Sequence, residues 1–79
     1  MELQKKIGCV ILSLRQNMHN QGGVKITQQD IADDADITLR YYQSLEAGKK
    51  MPTLFVAEKI AKAFNLKLSQ FCAYVEEYE

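Results

Sequence analysis

The stretch that decides the fold runs from Thr27 to Pro52 and reads TQQDIADDADITLRYYQSLEAGKKMP. Thr27 is a good N-cap residue, and Asp30, three residues later, stands where the acid of a capping box belongs. Three apolar residues then fall on one helical face: Ile31, Ala32 and Ala35. This pattern predicts a short helix that begins just after Thr27.

A second short helix follows at once. Asp36 and Ile37 interrupt the helical period, and Thr38 is placed to cap the new helix. Its apolar stripe consists of Tyr41, Tyr42 and Leu45, and it ends by Gly48. Two short helices around a tight turn form a helix-turn-helix, whose second helix enters the DNA major groove.

At these residues the chain resembles the lambda-repressor-like, Cro/repressor-type (XRE) helix-turn-helix family. The matching positions are Thr27, Gln28, Asp30, Ile31, Ala32, Ala35, Ile37, Thr38, Tyr41, Leu45, Glu46, Gly48 and Pro52. The family usually has glycine in the turn, where this chain has Asp36. Because aspartate tolerates a positive φ better than most residues, we expect the turn to be kept.

Helical spacing predicts an amphipathic first helix from Glu2 to about Met18, with a buried stripe of Leu3, Ile7, Val10, Ile11, Leu14 and Met18. Gly8 interrupts this helix at a cost of up to ~1 kcal/mol, so we expect close packing against another helix in compensation. Residues 17–26 are rich in Asn, Gln and Gly and predict a loop, which is longer than the family's usual connection.

Two further helices complete an all-α, five-helix domain, in which helices 2 and 3 form the helix-turn-helix. Thr53 is expected to cap the fourth helix, whose predicted buried stripe is Leu54, Ala57, Ile60, Ala61 and Phe64. Ser69 is expected to begin the fifth, with apolar positions at Phe71, Cys72, Val75 and Tyr78. A length of 79 residues predicts a single domain spanning residues 1–79.

Composition restricts the possible functions. Ten basic and ten acidic residues give a net charge of zero, which weakens phosphate binding without excluding it. No apolar run is long enough to span a bilayer, so we expect a soluble, cytoplasmic protein. Cys9 and Cys72 allow a disulfide in principle but are expected to be buried small hydrophobes. The chain has one histidine, His19, and no nucleophile beside a base. We therefore expect no metal site, no cofactor and no enzymatic activity.

The resemblance implies a set of DNA-contacting residues near the start and along the outer face of the second motif helix. Those expected to read bases are Thr38, Leu39, Arg40, Gln43 and Ser44. Arg40 is the strongest candidate, because a guanidinium bonds guanine O6 and N7 together. The expected phosphate contacts are Gln28, Tyr41, Lys49, Lys50 and Lys25. For Gln28 and the lysines, a solvated surface role is the open alternative.

The resemblance also assigns structural roles. Tyr42 takes the family's buried aliphatic position. Glu46 is expected to form a partly buried ion pair with Arg15 that ties the first helix to the third.

These observations predict a sequence-specific, double-stranded-DNA-binding transcriptional regulator that acts as a homodimer. The candidate dimer surface is on the last helix, at Phe71, Val75 and Tyr78, with core packing as the alternative explanation for these three residues. No small-molecule effector is evident. The alternative is a protein-interaction module, such as an antitoxin-like domain that uses the same fold to hold another protein. Salt dependence separates the two, because affinity that rests on phosphate contacts falls as salt rises.

Overall fold

The computed structural model describes residues 1–18 and 22–78, and these residues form five helices. The helices are α1 (Leu3–Gln16), α2 (Gln28–Asp34), α3 (Leu39–Glu46), α4 (Leu54–Ala63) and α5 (Leu68–Glu77). The predicted all-α, five-helix architecture is confirmed. One boundary differs: α5 begins before Ser69, because the Gln70 side chain accepts the backbone N–H of Lys67 at 2.8 Å and caps the helix there. His19 and Glu79 lie outside the described residues.

Threonine caps begin the three middle helices, as the sequence predicts. Thr27 Oγ1 accepts the Asp30 N–H at 3.1 Å, and Asp30 Oδ2 accepts the Thr27 N–H at 2.9 Å, which completes the capping box. Thr38 and Thr53 accept the N–H three residues along at the same 3.1 Å. Each bond satisfies a backbone donor that the helix itself leaves unpaired.

The turn between α2 and α3 keeps its shape despite the missing glycine. Asp36 adopts the left-handed conformation, with φ of 56°. The Ile37 N–H then donates to the carbonyl of Ala32 at 3.0 Å, which closes the turn. Ala32 is fully buried, and its small side chain lets α3 pack closely against α2.

One core joins all five helices. α1 packs against α3 and α5, α2 packs against α3 and α4, and α4 packs against α5. The buried apolar residues are Ile7, Val10, Ile11, Ile31, Ala32, Ala35, Tyr42, Leu45, Ile60, Ala61, Phe64, Phe71 and Val75.

Three apolar positions predicted to be buried are exposed. Leu3 is 54% exposed and Leu54 is 71% exposed, and Cys72 is exposed with a free thiol. Leu3 and Leu54 are the first residues of α1 and α4, and helical side chains lean toward the N-terminus. Their side chains therefore point past the helix ends, although they continue the buried stripes in sequence.

Gly8 lies where α1 crosses the C-terminal end of α3. A Cβ atom at this position would stand 2.8 Å from the carbonyl oxygens of Leu45 and Glu46. Since both are backbone atoms of a packed helix, neither is free to move aside. Close helix packing thus accounts for this glycine, as expected from the sequence.

We expect Gly8→Ala to destabilise the fold, although alanine is the better helix former. Separating α1 from α3 should cost about 1–3 kcal/mol of unfolding free energy, which exceeds the propensity gain of up to ~1 kcal/mol. Urea denaturation measures this, with Ser13→Ala on the exposed side of α1 as the matched control. A Gly8→Ala chain as stable as the control would contradict the close approach.

Candidate nucleic-acid interface

The outer face of α3 presents the side chains expected to read bases. Arg40 and Gln43 are exposed, as is Thr38 at the N-cap. Leu39 and Ser44 are half-exposed. The Ser44 hydroxyl also donates to the carbonyl of Tyr41 at 2.7 Å, so its proton is used within the helix.

A shallow cleft beside this face gathers several of the candidate residues. It has a volume of about 340 Å³ and is lined by Thr38, Arg40, Tyr41, Ser44 and Lys50. The Lys50 ammonium lies 5.9 Å from the centroid of the half-buried Tyr41 ring. Lys49, just past Gly48, and Lys25, in the loop before α2, are exposed.

On the inner side of α3, a bidentate ion pair between Arg15 and Glu46 joins α1 to α3. Arg15 Nε lies 2.9 Å from Glu46 Oε2, and Arg15 Nη2 lies 2.9 Å from Glu46 Oε1. The two side chains are 18% and 6% exposed, respectively. Arg15 Nη1 also donates to the carbonyl of Ile26 at 3.3 Å, which ties in the segment that leads to α2.

Two further donors complete the surroundings of Glu46. The hydroxyl of Tyr42 donates to Oε2 at 2.7 Å, and Gln28 Nε2 donates to Oε1 at 2.8 Å. Tyr42 is fully buried, in agreement with its expected core position. Each carboxylate oxygen therefore accepts two hydrogen bonds.

These contacts shift the protonation equilibria of the buried groups. Burial acts to raise the pKa of Glu46, but hydrogen bonds from Arg15, Tyr42 and Gln28 outweigh it and bring the pKa below its ordinary value. The hydrogen bond to Glu46 raises the pKa of Arg15. Burial, followed by the hydrogen bond to Glu46, raises the pKa of Tyr42 far above its ordinary value. Glu46 is thus held as a carboxylate and Tyr42 as a neutral donor.

The Glu46 carboxylate fixes the orientation of two glutamines that lead to the surface. A carboxylate only accepts, so Gln28 must turn its amide nitrogen inward and its Oε1 outward. That oxygen accepts Gln43 Nε2 at 3.1 Å. The side chain of Gln28, expected to hold a phosphate, is therefore engaged at both ends, and one N–H of its amide remains for such a contact.

Two of these hydrogen bonds could not be read from the sequence. Gln28 and Glu46 stand 18 residues apart, and Gln28 and Gln43 stand 15 apart, so no local spacing reveals either contact. The bond between Tyr42 and Glu46 had a usable signal, because residues four apart on a helix share a face.

Two of the three residues expected at a dimer interface on α5 are buried within their own chain, which agrees with the alternative explanation by core packing. Phe71 is 2% exposed and Val75 is 6% exposed, because both pack into the core of their own chain. Tyr78 is half-buried against the same core. A hydrogen bond with the thiol of Cys9 raises the pKa of Tyr78.

Within residues 1–18 and 22–78, no three His, Cys, Asp or Glu side chains are grouped closely enough to hold a metal ion. Across the same residues, every helix is too short or too polar to cross a membrane.

We expect Glu46→Ala to lower the unfolding free energy by about 3 kcal/mol, since it leaves the buried charge of Arg15 unpaired. This is the lower end of the range for buried pairs, because Arg15 keeps some contact with water. Chemical denaturation provides the measurement. Asp33→Ala, which removes an exposed bond to Gln29, is the matched control and should change stability by less than ~0.5 kcal/mol. Equal losses in the two variants would contradict the buried role of Glu46.

The lowered pKa of Glu46 also predicts an acid-sensitive fold. A carboxyl whose pKa is depressed in the folded state contributes stability above its ordinary value of 4.5 and loses it as the pH falls through the folded-state pKa. The native chain should therefore lose more stability than Glu46→Gln between pH 5 and strongly acidic solution. Unfolding free energies measured over this range test the prediction. If the unfolding free energies of the two chains changed with pH in parallel, protonation of Glu46 would not be coupled to unfolding.

Comparison with known proteins agrees with this geometry. The family model described as "Helix-turn-helix" matches residues 23–71, which is more than half of the chain. The chain is 29% identical over 62 residues to the cryptic phage CTXphi transcriptional repressor RstR of Vibrio cholerae serotype O1 (strain ATCC 39315 / El Tor Inaba N16961). That match covers 77% of this chain and 55% of the repressor, so the chain spans about half the length of this relative.

Two crystal structures of the clp gene regulator ClgR from Corynebacterium glutamicum have the same fold. The first superposes with a TM-score of 0.77 at 18% identity and covers 96% of this chain and 74% of the regulator chain. The second gives a TM-score of 0.79 at 17% identity and covers 99% and 92%, respectively. The matched family model, together with the phage repressor, shows that the chain belongs to the lambda-repressor-like, Cro/repressor-type (XRE) helix-turn-helix DNA-binding family.

Proposed function

We propose that this chain is a cytoplasmic, sequence-specific transcriptional regulator that binds double-stranded DNA as a homodimer, with α3 in the major groove. The observation that supports this most is the outward face of α3. Arg40 and Gln43 are exposed there, and the Gln43 amide is held through Gln28 by the buried carboxylate of Glu46. A side chain oriented before binding loses less conformational entropy when it meets a base.

The chemistry of these two side chains favours particular bases. Gln43 gives one N–H to Gln28, which leaves its Oε1 and its second N–H for DNA. One acceptor beside one donor matches adenine, which offers N6–H₂ and N7 in the major groove. Arg40 carries only donors and matches guanine O6 and N7. The proposed half-site therefore contains an adenine and a guanine within reach of adjacent turns of α3.

Lysines flanking α3 supply the proposed phosphate contacts. Lys49 and Lys50 follow the C-terminal end of α3, and Lys25 precedes α2. The N–H groups at the start of α2, beside Gln28, add a further place for a phosphate. The relatives support the same function, since RstR is described as a transcriptional repressor and ClgR as a gene regulator.

Selection of bound sites from a random DNA pool tests the proposal directly. We expect enrichment of a two-fold symmetric sequence whose half-sites are centred about one helical turn apart. Affinity for the selected site should fall steeply as salt is raised. A pool that shows no enrichment, together with affinity that does not depend on salt, would favour the protein-interaction alternative.

Single substitutions should separate base reading from phosphate binding. Arg40→Ala should cost about 1–3 kcal/mol on the selected site and relax the preference at one position of each half-site. Lys50→Ala should weaken selected and unrelated DNA alike and reduce the salt slope by about one per chain. Fluorescence anisotropy titrations measure both effects, with Lys62→Ala on the exposed side of α4 as the control. If Arg40→Ala weakened all sequences equally, α3 would not be the reading helix as proposed.

A further inference from the structure

The side chain of Gln28 links a buried charge to the outer face of α3. Its Nε2 donates to Glu46 Oε1 at 2.8 Å, and its Oε1 accepts Gln43 Nε2 at 3.1 Å. The Glu46 side chain is 6% exposed, Gln28 is half-buried at the start of α2, and Gln43 is exposed. We call Glu46, Gln28 and Gln43 the amide relay, because two side-chain amides carry the effect of the carboxylate to the surface.

Only one orientation of each amide satisfies the amide relay. If the Gln28 amide were reversed, its oxygen would face the Glu46 carboxylate and its NH₂ group would face that of Gln43. If the Gln43 amide were reversed, its oxygen would face that of Gln28. Each reversal loses hydrogen bonds and brings like groups together. The exposed Gln43 amide therefore has a preferred direction, which an isolated surface glutamine lacks.

The inner hydrogen bond of the amide relay is the firmer of the two. It is partly buried and ends on an ionised carboxylate, and charge-assisted hydrogen bonds are roughly twice as strong as neutral ones. The outer bond joins two neutral amides at the surface. Glu46 thus orients Gln28 whether or not Gln43 is bound to it, and Gln43 takes its orientation from Gln28.

A phosphate contact is the other role open to Gln28, and the two roles have different consequences. A phosphate ligand strengthens binding to every sequence, because the DNA backbone carries no base information. A side chain that orients a base-reading residue affects one base pair of each half-site and no other. Both polar ends of Gln28 already have partners within the protein, which favours the orienting role.

We propose that Gln28 is a positioning residue that determines base specificity: held by Glu46, it fixes which hydrogen-bonding groups Gln43 offers to DNA. In this role Gln28 contacts no base itself. The role rests on the proposed function, in which Gln43 reads a base, and it adds the residue that sets the preference of that contact.

Two matched variants separate this role from a structural one. Gln28→Met keeps the approximate length of the side chain but forms neither hydrogen bond. Tyr42→Phe is the control, because it removes the 2.7 Å bond from Tyr42 to Glu46 Oε2 and leaves Oε1 to Gln28. Each variant takes one hydrogen bond from the same carboxylate and keeps its ion pair with Arg15. Both are expected to remain folded, which urea denaturation checks.

Anisotropy titrations on the selected DNA site measure base preference. The base pair read by Gln43 is the one at which Gln43→Ala relaxes the preference. There, Gln28→Met should reduce the ratio of affinities for the preferred and the other bases by roughly 2- to 10-fold, because an unheld side chain loses more rotamer freedom on binding. Tyr42→Phe should leave this ratio unchanged. In a Gln43→Ala chain, Gln28→Met should have no further effect on it.

A second measurement needs no DNA. Nuclear magnetic relaxation of the side-chain amide nitrogens reports how rigidly each glutamine is held on the ps–ns timescale. In the free chain, the order parameter of the Gln43 amide should fall in Gln28→Met and stay at its native value in Tyr42→Phe.

Three results would overturn the inference. Gln28→Met could weaken all DNA sequences equally, which would make Gln28 a phosphate ligand. Tyr42→Phe could lower the base preference as much as Gln28→Met, which would make the effect one of stability. The Gln43 amide could be equally mobile in the native chain and in Gln28→Met. Failure of the proposed function looks different: no DNA site is selected, and the order parameter of Gln43 still decides whether Gln28 holds it.

Discussion

A buried carboxylate accepts at most about four hydrogen bonds, and the fold is arranged so that Glu46 receives that number. Arg15 supplies two, Tyr42 supplies one from within α3, and Gln28 supplies one from α2. The positions of α1, α2 and α3 are therefore fixed relative to the Glu46 carboxylate. Because Glu46 would be costly to bury with any of these bonds missing, the arrangement of α1, α2 and α3 tolerates little deviation. Gly8 contributes to the same arrangement, because the missing side chain lets α1 approach α3 closely enough for Arg15 to reach the Glu46 carboxylate.

The same constraint extends to the surface. The carboxylate determines which end of the Gln28 amide faces inward, and that end determines how Gln43 is presented to solvent. The orientation of the Gln43 side chain on the outer face of α3 is thus set by the Glu46 carboxylate through the Gln28 amide. Under the proposed function, Glu46 would thus influence DNA recognition without contacting DNA. Loss of Glu46 would therefore free the side chain of Gln43, the proposed base-reading residue, as well as lower stability.

Much of this architecture followed from local chemistry. The threonine caps, the tolerance of Asp36 for the left-handed turn and the close packing at Gly8 each depend on residues near one another in sequence or on a backbone preference. The hydrogen bonds of Gln28 depend instead on how helices meet, and no spacing encodes them. The exposure of Leu3 and Leu54, the first residues of α1 and α4, has another cause. Helical periodicity assigns a residue to a face, but it does not say where along the helix the neighbouring helices end.

The zero net charge of the chain bears on how the proposed homodimer would bind DNA. Salt-dependent affinity grows with the number of phosphates neutralised. Among the described residues, exposed cations in α3 or beside its C-terminal end include Arg40, Lys49, Lys50 and Lys5, and Lys25 precedes α2. Acidic residues at Asp33, Asp34 and Asp36 lie at the end of α2 and in the turn and reduce the local potential. A single copy is therefore expected to bind DNA weakly. In the proposed homodimer, two copies would bind through twice as many contacts, and binding of the second copy would become intramolecular once the first had bound. In a strongly basic protein the backbone contacts of one chain could suffice. Under the proposed function, selective binding by this neutral chain at ordinary salt would depend on a contact between two copies.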